Sequence, residues 1–371
     1  MDPVNEELAQ YSDLFMLIAA LIYTGAFIVF AVDMVRSSAT IRRLEAELAA
    51  EADQESRKAR STLVGADAGS AAGSTSVSEA RDESSLPKDG AEEGGITAES
   101  RDLVDDDLAY VSTRRPFANV AVALTILAAA AHLFAVVTLG VAANRMPLAN
   151  MYEFLTAGAL VVALVFLTAL VRKDLRFLGT FAIGLVVVMM TAATIGFPTP
   201  VGNVQPALQS PWLAVHVTLA VLAMGLFTLT FAMNVLQLVQ QRRELKVSDG
   251  EIQDTGGWQF MRMVPSATSL ENWAYRINAV AFVFWTLGPL ITGAIWAEEA
   301  WGRYWGWDVK EVWTFVIWVV YAGYLHARAT RGWSGNRAAW LSIIGFVCII
   351  FNYAVVNTLF PGLHSYAGLP Q

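Results

Sequence analysis

The chain has 371 residues, of which 55% are hydrophobic and only 16% are charged. A soluble core does not need so apolar a composition, whereas a chain embedded in a bilayer does. A single cysteine, Cys348, excludes a Cys-x-x-Cys redox pair and a thiolate metal cluster. The sequence also lacks a GxxxxGK(S/T) phosphate loop, which argues against nucleotide-driven transport by this chain itself.

Eight apolar segments follow one another along the chain, each close to the roughly 17–25 residues that cross a bilayer as a helix. They predict an all-α integral membrane protein, a polytopic bundle of about eight transmembrane helices. Four prolines in GFPTPVGNVQPALQSP separate the fourth segment from the fifth, because a proline-rich backbone cannot continue a helix. The predicted segments are residues 14–32, 117–139, 154–171, 177–196, 212–239, 277–297, 312–327 and 338–360.

The first apolar segment follows the acidic residues Asp2, Glu6 and Glu7 and has neither a basic leader nor a small-residue cleavage site. We therefore expect residues 1–36 to form a retained N-terminal transmembrane helix and not a signal peptide.

Residues 37–115 differ in composition from the rest of the chain. They are rich in Ala, Ser, Gly, Asp and Glu, and their 17 acidic and 10 basic residues account for most of the net charge of −8. Such a segment cannot bury enough apolar surface to fold, so we predict a disordered acidic linker. Residues 116–371 then form the main membrane domain.

The sixth and seventh apolar segments are joined by a tryptophan-rich stretch, EEAWGRYWGWDVKEVW. It contains Trp301, Trp305, Trp307 and Trp313, four of the 12 tryptophans of the chain. Enrichment of tryptophan at membrane interfaces explains isolated residues such as Trp296 or Trp340, but it explains a spaced cluster of four poorly. We therefore treat residues 296–313 as a candidate binding loop.

Lysine and arginine are distributed unevenly between the two sides of the predicted bundle. With the N-terminus outside, the outer loops contain only Arg145, Arg303 and Lys310, and the inner segments contain the others. Because basic residues are enriched on the cytoplasmic side, we predict that both termini and the tryptophan-rich loop lie outside and that the linker is cytoplasmic.

The four histidines can be placed by this topology. His216 lies about one turn inside the outer end of the fifth helix, and His364 follows the last helix on the outside. His326 ends the seventh helix on the inner side, and His132 lies within the second helix, where a packing role is the simpler interpretation. His216 and His364 thus fall on the same side as the tryptophans although they are far apart in sequence.

Two histidines beside an aromatic loop fit axial ligation of a haem iron. The tryptophans are suited to stack on the porphyrin or line its edge. Arg303 and Lys310 are suited to pair with the haem propionates, and Gly302 and Gly306 would allow a close approach of the backbone.

Asp308 and Glu311 precede the seventh segment, three residues apart. We favour helix capping for both over a direct chemical role. His326 is open to two interpretations: a functional residue, as ionisable residues at membrane depth often are, or a residue at the membrane interface.

The residues resemble a family of haem-handling membrane proteins. WGRYWGWDVKEVW is similar to their WGxxWxWDxxExW signature, and PLANMYEF, WLAVHV, SLENWAYRI, YLHAR and GLHSY occur in the order found in the CcsA/ResC family of cytochrome c biogenesis proteins, called CcsB in actinobacteria. The resemblance covers approximately residues 117–368.

This resemblance implies cytochrome c synthesis by the pathway called System II, in the plasma or inner membrane. Haem b would be carried across the membrane and attached to a CxxCH segment of apocytochrome c, together with a ResB-like partner. His216 and His364 would be the outer haem ligands and His326 an inner ligand completed by the partner. Trp301, Arg303, Trp305, Trp307, Asp308 and Trp313 would belong to the haem-binding loop.

The implied reaction needs no nucleophile from this chain, because the substrate supplies its own thiols. We assign no catalytic acid or base, so the chain is expected to be a subunit of a cytochrome c synthase and not a complete enzyme. Nothing in the sequence indicates a nucleic-acid partner.

Two other haem functions remain open. The first is a membrane b-type cytochrome with permanently bound haem, although such proteins usually have paired ligands in each leaflet. The second is the haem-delivery protein of the ABC-dependent maturation pathway, against which GLHSY and SLENWAYRI argue. A small-solute permease is a weaker alternative, because the helices lack charged residues.

Overall fold

The computed structural model describes residues 5–36, 115–199, 208–249, 259–330, 333–360 and 362–364, with 41, 46, 50, 54, 57, 58 and 108 as isolated positions. Almost all of the predicted linker 37–115 lies outside these residues, so its disorder stays a prediction. The bundle described below belongs to the unit formed by Met1–Ser37 and Val104–Gln371.

The described residues form an all-α architecture, as predicted. Three π-helical turns, Ala192–Gly196, Thr286–Thr292 and Asn352–Val356, continue three of the α-helices. The α-helices are α1 (Glu6–Val35), α2 (Pro116–Ala143), α3 (Met151–Arg172), α4 (Gly179–Thr191), α5 (Pro211–Ser248), α6 (Ala267–Trp285), α7 (Gly293–Trp301), α8 (Val309–Ala329), α9 (Asn336–Phe351) and α10 (Asn357–Leu359).

Seven helices of the described chain are long and apolar enough to cross a membrane. They coincide with seven of the eight predicted segments. The remaining segment, 312–327, forms α8, which is 21 residues long. It is less apolar because indole, phenol and imidazole groups occupy many of its positions, among them Trp313, Trp318, Tyr321, Tyr324 and His326.

Contacts at the starts of α1 and α8 describe how the helices meet. The backbone N–H of Asn5, at the start of α1, donates to Ala142 O at the end of α2. Asp308 at the start of α8 contacts His364, the last described residue, at 2.9 Å. The end of the bundle that carries Asp308 and His364 is called here the histidine end. Seven of the eight predicted segments are confirmed as apolar helices of membrane-spanning length, and the pass formed by α8 stays a prediction.

A second set of contacts joins the helices at the opposite end. Arg115 before α2 forms a buried ion pair with Asp33 near the end of α1, at 2.5 Å. Arg328 in the last turn of α8 donates to Asn272 in the first turns of α6 at 2.9 Å. These contacts place the end of α8 far from the histidine end.

An aromatic cluster holds α5, α6 and α8 together in the middle of the bundle. Phe227 stacks on Tyr321 with ring centroids 3.8 Å apart and stands edge-on to Trp285 at 6.3 Å. The indole N–H of Trp285 donates to Thr314 O at 3.3 Å, which satisfies its buried polar atom. This cluster packs beneath the histidine end of the bundle.

The predicted sixth segment, 277–297, is helical but interrupted. Pro289 lies inside the π-helical turn between α6 and α7, because proline has no N–H to continue the α-helical ladder. The helix then runs to Trp301 and ends at Gly302, whose φ of 71° lies in the left-handed region that favours glycine. The non-helical part of the predicted loop 296–313 is therefore only 302–308.

Candidate functional site

The structure brings His216 and His364 together at the histidine end. Ser210 caps α5 by accepting from Trp212 N at 3.1 Å, and this fixes the start of the helix that carries His216. His364 follows α10. The two imidazoles border the same two cavities and both contact one indole, that of Trp296.

His216 is oriented by the π-helical turn that faces it. Its Nδ1 lies 3.2 Å from Gly288 O. A carbonyl oxygen only accepts, so Nδ1 carries the hydrogen and Nε2 keeps its lone pair. A Cβ atom at Gly293 would lie 2.8 Å from Nδ1, and therefore only glycine lets α7 pack so closely against this ring.

His364 is oriented by a carboxylate. Its Nδ1 donates to Asp308 Oδ2 at 2.9 Å, and Leu363 N donates to Asp308 Oδ1 at 3.2 Å. The hydrogen bond from His364 is the main reason that the pKa of Asp308 lies below its usual value, against the opposing effect of partial burial. Because the ionised carboxylate only accepts, the hydrogen of a neutral His364 ring lies on Nδ1, and Nε2 is the nitrogen left to bind a metal.

Glu311 folds the short loop back onto α8. Its Oε2 accepts from Gly306 N at 2.8 Å and from Asp308 N at 3.0 Å, while Asp308 accepts from Lys310 N. These contacts form a capping box and confirm the capping prediction for both acids. The contact of Asp308 with His364 was not foreseen, because nothing in the sequence links residues 56 positions apart.

The predicted tryptophans separate into two groups. Trp301 lies 4.9 Å from the His364 ring, and Trp305 lines the cavity that His216 and His364 border. The side chain of Trp307 is 69% exposed and stands edge-on to Trp305, with ring centroids 5.9 Å apart. Its backbone φ is 58°, an unusual angle for a residue with a large side chain. Trp313 packs on Phe351 of α9 at 4.3 Å.

Of the two basic residues predicted to face the site, Lys310 reaches the cavities. Its ammonium donates to Asn357 Oδ1 and lies 4.4 Å from the centre of the Tyr353 ring. Arg303 is exposed and folds over Gly306, where a Cβ atom would lie 2.6 Å from its Cζ. The cation inside the site is thus Lys310, and Arg303 stands at its rim.

Trp296 is the site residue that the sequence analysis missed. It is only 2% exposed, stacks on His216 with ring centroids 5.8 Å apart and planes 15° apart, and stands edge-on to His364 at 5.5 Å. The interface interpretation is therefore wrong for Trp296. Trp340, at 53% exposed, agrees with that interpretation. A weak signal was present, since Gly293 and Trp296 lie one turn apart on the same helix face.

The other two histidines lie elsewhere. His326 is exposed in the last turn of α8, away from the histidine end. His132 is fully buried and edge-on to Tyr23 of α1 at 5.8 Å, in agreement with a packing role. Among the described residues no group of three or more His, Cys, Asp or Glu side chains could hold a bare metal ion.

Comparisons with known proteins agree with the resemblance. Residues 148–364, more than half of the chain, match the family model described as cytochrome C assembly protein. This stretch begins just before α3 and contains every residue of the site, whereas α1 and α2 precede it.

Three relatives named cytochrome c biogenesis protein CcsA illustrate the similarity. The protein of Heterosigma akashiwo is 34% identical over 252 residues, covering 61% of this chain and 78% of its own. That of Guillardia theta is 34% identical over 260 residues, covering 66% and 84%, and that of Gloeobacter violaceus is 31% identical over 273 residues, covering 61% and 80%. The chain belongs to the cytochrome C assembly protein family and is a multi-pass membrane protein of cytochrome c biogenesis.

Proposed function

We propose that this chain delivers haem b across the membrane and positions it for covalent attachment to apocytochrome c on the outer face, as part of a System II synthase. The observation that carries this proposal is the convergence of His216 and His364, each with Nδ1 engaged in a hydrogen bond that leaves Nε2 as the nitrogen to bind iron.

The donor set fits an iron that already sits in a porphyrin. The macrocycle supplies four nitrogens, so two imidazoles on opposite faces complete six-coordination. A bare structural zinc ion would need about four protein ligands, and the described residues provide no such group. Two histidines with few other metal-binding side chains nearby therefore favour haem over a free metal ion.

The surroundings also fit the rest of the haem. Trp301 and Trp305 offer aromatic faces beside the imidazoles, and Lys310 offers a cation inside the cavity for a propionate. Arg303 at the rim offers a second cation. We expect the propionate edge to face these cations and the vinyl edge to remain open to the apocytochrome.

The chemistry proposed is the addition of two cysteine thiols of a CxxCH segment to the two vinyl groups of haem. Each S–H adds across a C=C bond, so that a C–S bond forms and the proton goes to the other vinyl carbon. The role of this chain is to hold the haem at a fixed angle, since positioning alone contributes a large effective molarity. The histidine of CxxCH then replaces one of the two protein ligands.

The orientation proposed places the histidine end outside. Arg115, Lys173, Arg176 and Arg328 lie at the opposite end, where the cytoplasmic enrichment of basic residues predicts them. The site then lies on the outer face of the plasma or inner membrane.

The inner ligand proposed is His326, completed by a ResB-like partner. His326 is exposed on a membrane-spanning helix, and ionisable side chains at such positions rarely face lipid. Coverage by a partner helix that supplies the second imidazole would remove this conflict.

The test is co-expression of the chain, a ResB-like partner and a CxxCH reporter in a host without its own maturation system. Covalent haem on the reporter is expected with the wild type and with Trp340→Phe, and is expected to be absent with His216→Ala or His364→Ala. Normal covalent haem in either histidine variant would contradict the ligand assignment. Haem that stays bound to the chain and never reaches the reporter would favour the b-type cytochrome.

A further inference from the structure

Trp296 contacts both proposed ligands. Its indole is nearly parallel to the His216 ring and meets the His364 ring edge-on, and it also lies 4.7 Å from Trp301. A side chain so placed affects any flat molecule that is to be held by the two imidazoles. The inference below rests on the proposed function.

Trp296 lines both cavities at the site. One has a volume of about 500 Å³ and extends toward Trp285 and Trp305; the other, of about 630 Å³, extends toward Met151 and Phe154 of α3. Both volumes include the open mouths. The lining that they share includes His216, Trp296, Lys310 and His364.

A porphyrin extends beyond its iron in every direction within its plane. A disc held by His216 and His364 would therefore extend into the cavities that both residues line, and the indole of Trp296 lines both cavities as well. Porphyrin binding is therefore expected to displace at least one of the imidazole–indole contacts.

We propose that Trp296 is a gate of the porphyrin site, which must move from its contacts with the two imidazoles before both can bind one iron. The helix that carries it can adjust near both of its ends. α7 has nine residues, with the π-helical turn containing Pro289 before it and the left-handed Gly302 after it. Such turns are sites where a helix departs from regular geometry and can accommodate movement of the indole.

The hydrogen bond that orients His216 involves the turn before α7. The carbonyl that accepts from His216 Nδ1 belongs to Gly288, in the turn that leads into α7. The N–H is therefore held by the turn that precedes the helix of the gate. Displacement of the indole is expected to leave this hydrogen bond in place, so that His216 keeps the orientation in which Nε2 faces the iron.

The gate predicts a specific kinetic effect of removing the indole. Purified full-length chain in lipid nanodiscs is mixed with ferric haem, and the rise of the six-coordinate visible spectrum is followed by stopped flow. Trp296→Ala is expected to associate with haem at least about tenfold faster than the wild type, with the six-coordinate spectrum retained. Trp296→Phe, which keeps a ring and is safer for folding, is expected to lie between the two.

Two controls separate the gate from other effects. Trp340→Phe changes an exposed tryptophan away from the site and is expected to match the wild type. Iron-free protoporphyrin cannot be ligated, so its faster binding to Trp296→Ala would show that access has changed and not ligation.

Slower association or loss of haem binding in both Trp296 variants would show that Trp296 is a fixed wall, and rates within twofold of the wild type would show that it is passive. Either result overturns the gate. A failure of the proposed function is distinguishable, because wild type and the His216→Ala/His364→Ala double variant would then bind haem alike whatever the Trp296 variants do.

Discussion

The two proposed ligands are held by different means. His216 lies in the second turn of a long helix and is oriented by a backbone carbonyl and by the absence of a side chain at Gly293. His364 follows the last helix and is oriented by the side chain of Asp308, which itself caps another helix. The first ligand is therefore positioned by the packing of the bundle, and the second by one hydrogen-bonded carboxylate. Substitutions should affect them differently.

The largest effect is expected from Gly293→Ala. In an isolated helix this change is stabilising by about 1 kcal/mol, but here the added Cβ would lie 2.8 Å from His216 Nδ1. Because an error of ~1 Å in a reacting group can cost about 100-fold, covalent haem formation should fall by about that factor. Gly25→Ala, where nothing lies within 4 Å, is the matched control and should behave as the wild type. Normal haem attachment in Gly293→Ala would mean that His216 is not held by close packing.

A second large effect concerns chemical rescue of the two ligands. His364→Gly leaves a gap after the last helix, beside a carboxylate, whereas His216→Gly leaves a gap against Gly293 of α7, where the helices pack closely. Added imidazole should restore covalent haem formation more fully in His364→Gly than in His216→Gly. The reverse order would contradict the contrast drawn between the two ligands.

A smaller effect is expected from Asp308→Asn. Asparagine is as good an N-cap as aspartate, so the start of α8 should be preserved, but the charged acceptor for His364 is lost. Changes to such supporting carboxylates typically cost about 10–100-fold in metal affinity, and haem affinity measured by titration should fall within that range. Coordination of the iron by His216 should be unchanged. An unaltered affinity would mean that the Asp308–His364 contact contributes only to capping.

Glu311→Gln should mainly lower stability. Its carboxylate accepts from the N–H groups of Gly306 and Asp308 while only 7% exposed, and the neutral amide would accept these bonds more weakly. A loss of about 1 kcal/mol is expected, read as a lower thermal midpoint in detergent, with haem ligation retained in the folded fraction. A stable variant that no longer ligates haem would instead show that Glu311 shapes the site directly.

The smallest effect is expected from deletion of residues 65–95 in the acidic linker. A segment whose composition predicts no folded core should be dispensable for the outer site. Covalent haem on the reporter should stay within about twofold of the wild type, provided that the variant is matched for expression. Complete loss would show that the linker takes part in the pathway.

Much of the fold could be predicted because a bilayer leaves few options. Apolar segments of this length form helices whose backbone groups are satisfied internally, so run length and proline position located all eight helical segments. Seven of these segments are long and apolar enough to span a membrane, and the eighth, 312–327, is also helical and forms α8. The π-helical turns were not predicted, because Pro289 inside an apolar run does not indicate how a helix will accommodate it.

The site was predicted only in part, for an equally physical reason. Topology was sufficient to place His216 and His364 at the same end of the bundle. The contact of Asp308 with His364 and the burial of Trp296 depend on how α7, α8 and the chain after α10 pack together, and no spacing in the sequence encodes that packing. The same holds for Trp313, which belongs to the tryptophan-rich motif but packs on Phe351.

The most direct test of the central claim is the low-temperature electron paramagnetic resonance spectrum of the purified chain loaded with ferric haem. With His216 and His364 as the two axial ligands, the wild type should give a low-spin bis-imidazole signal. Either single alanine variant should convert it to a high-spin signal, whereas His132→Ala should leave it low-spin. A wild-type signal that stays low-spin in both His216→Ala and His364→Ala would show that the haem is held elsewhere, and the account of this site would be wrong.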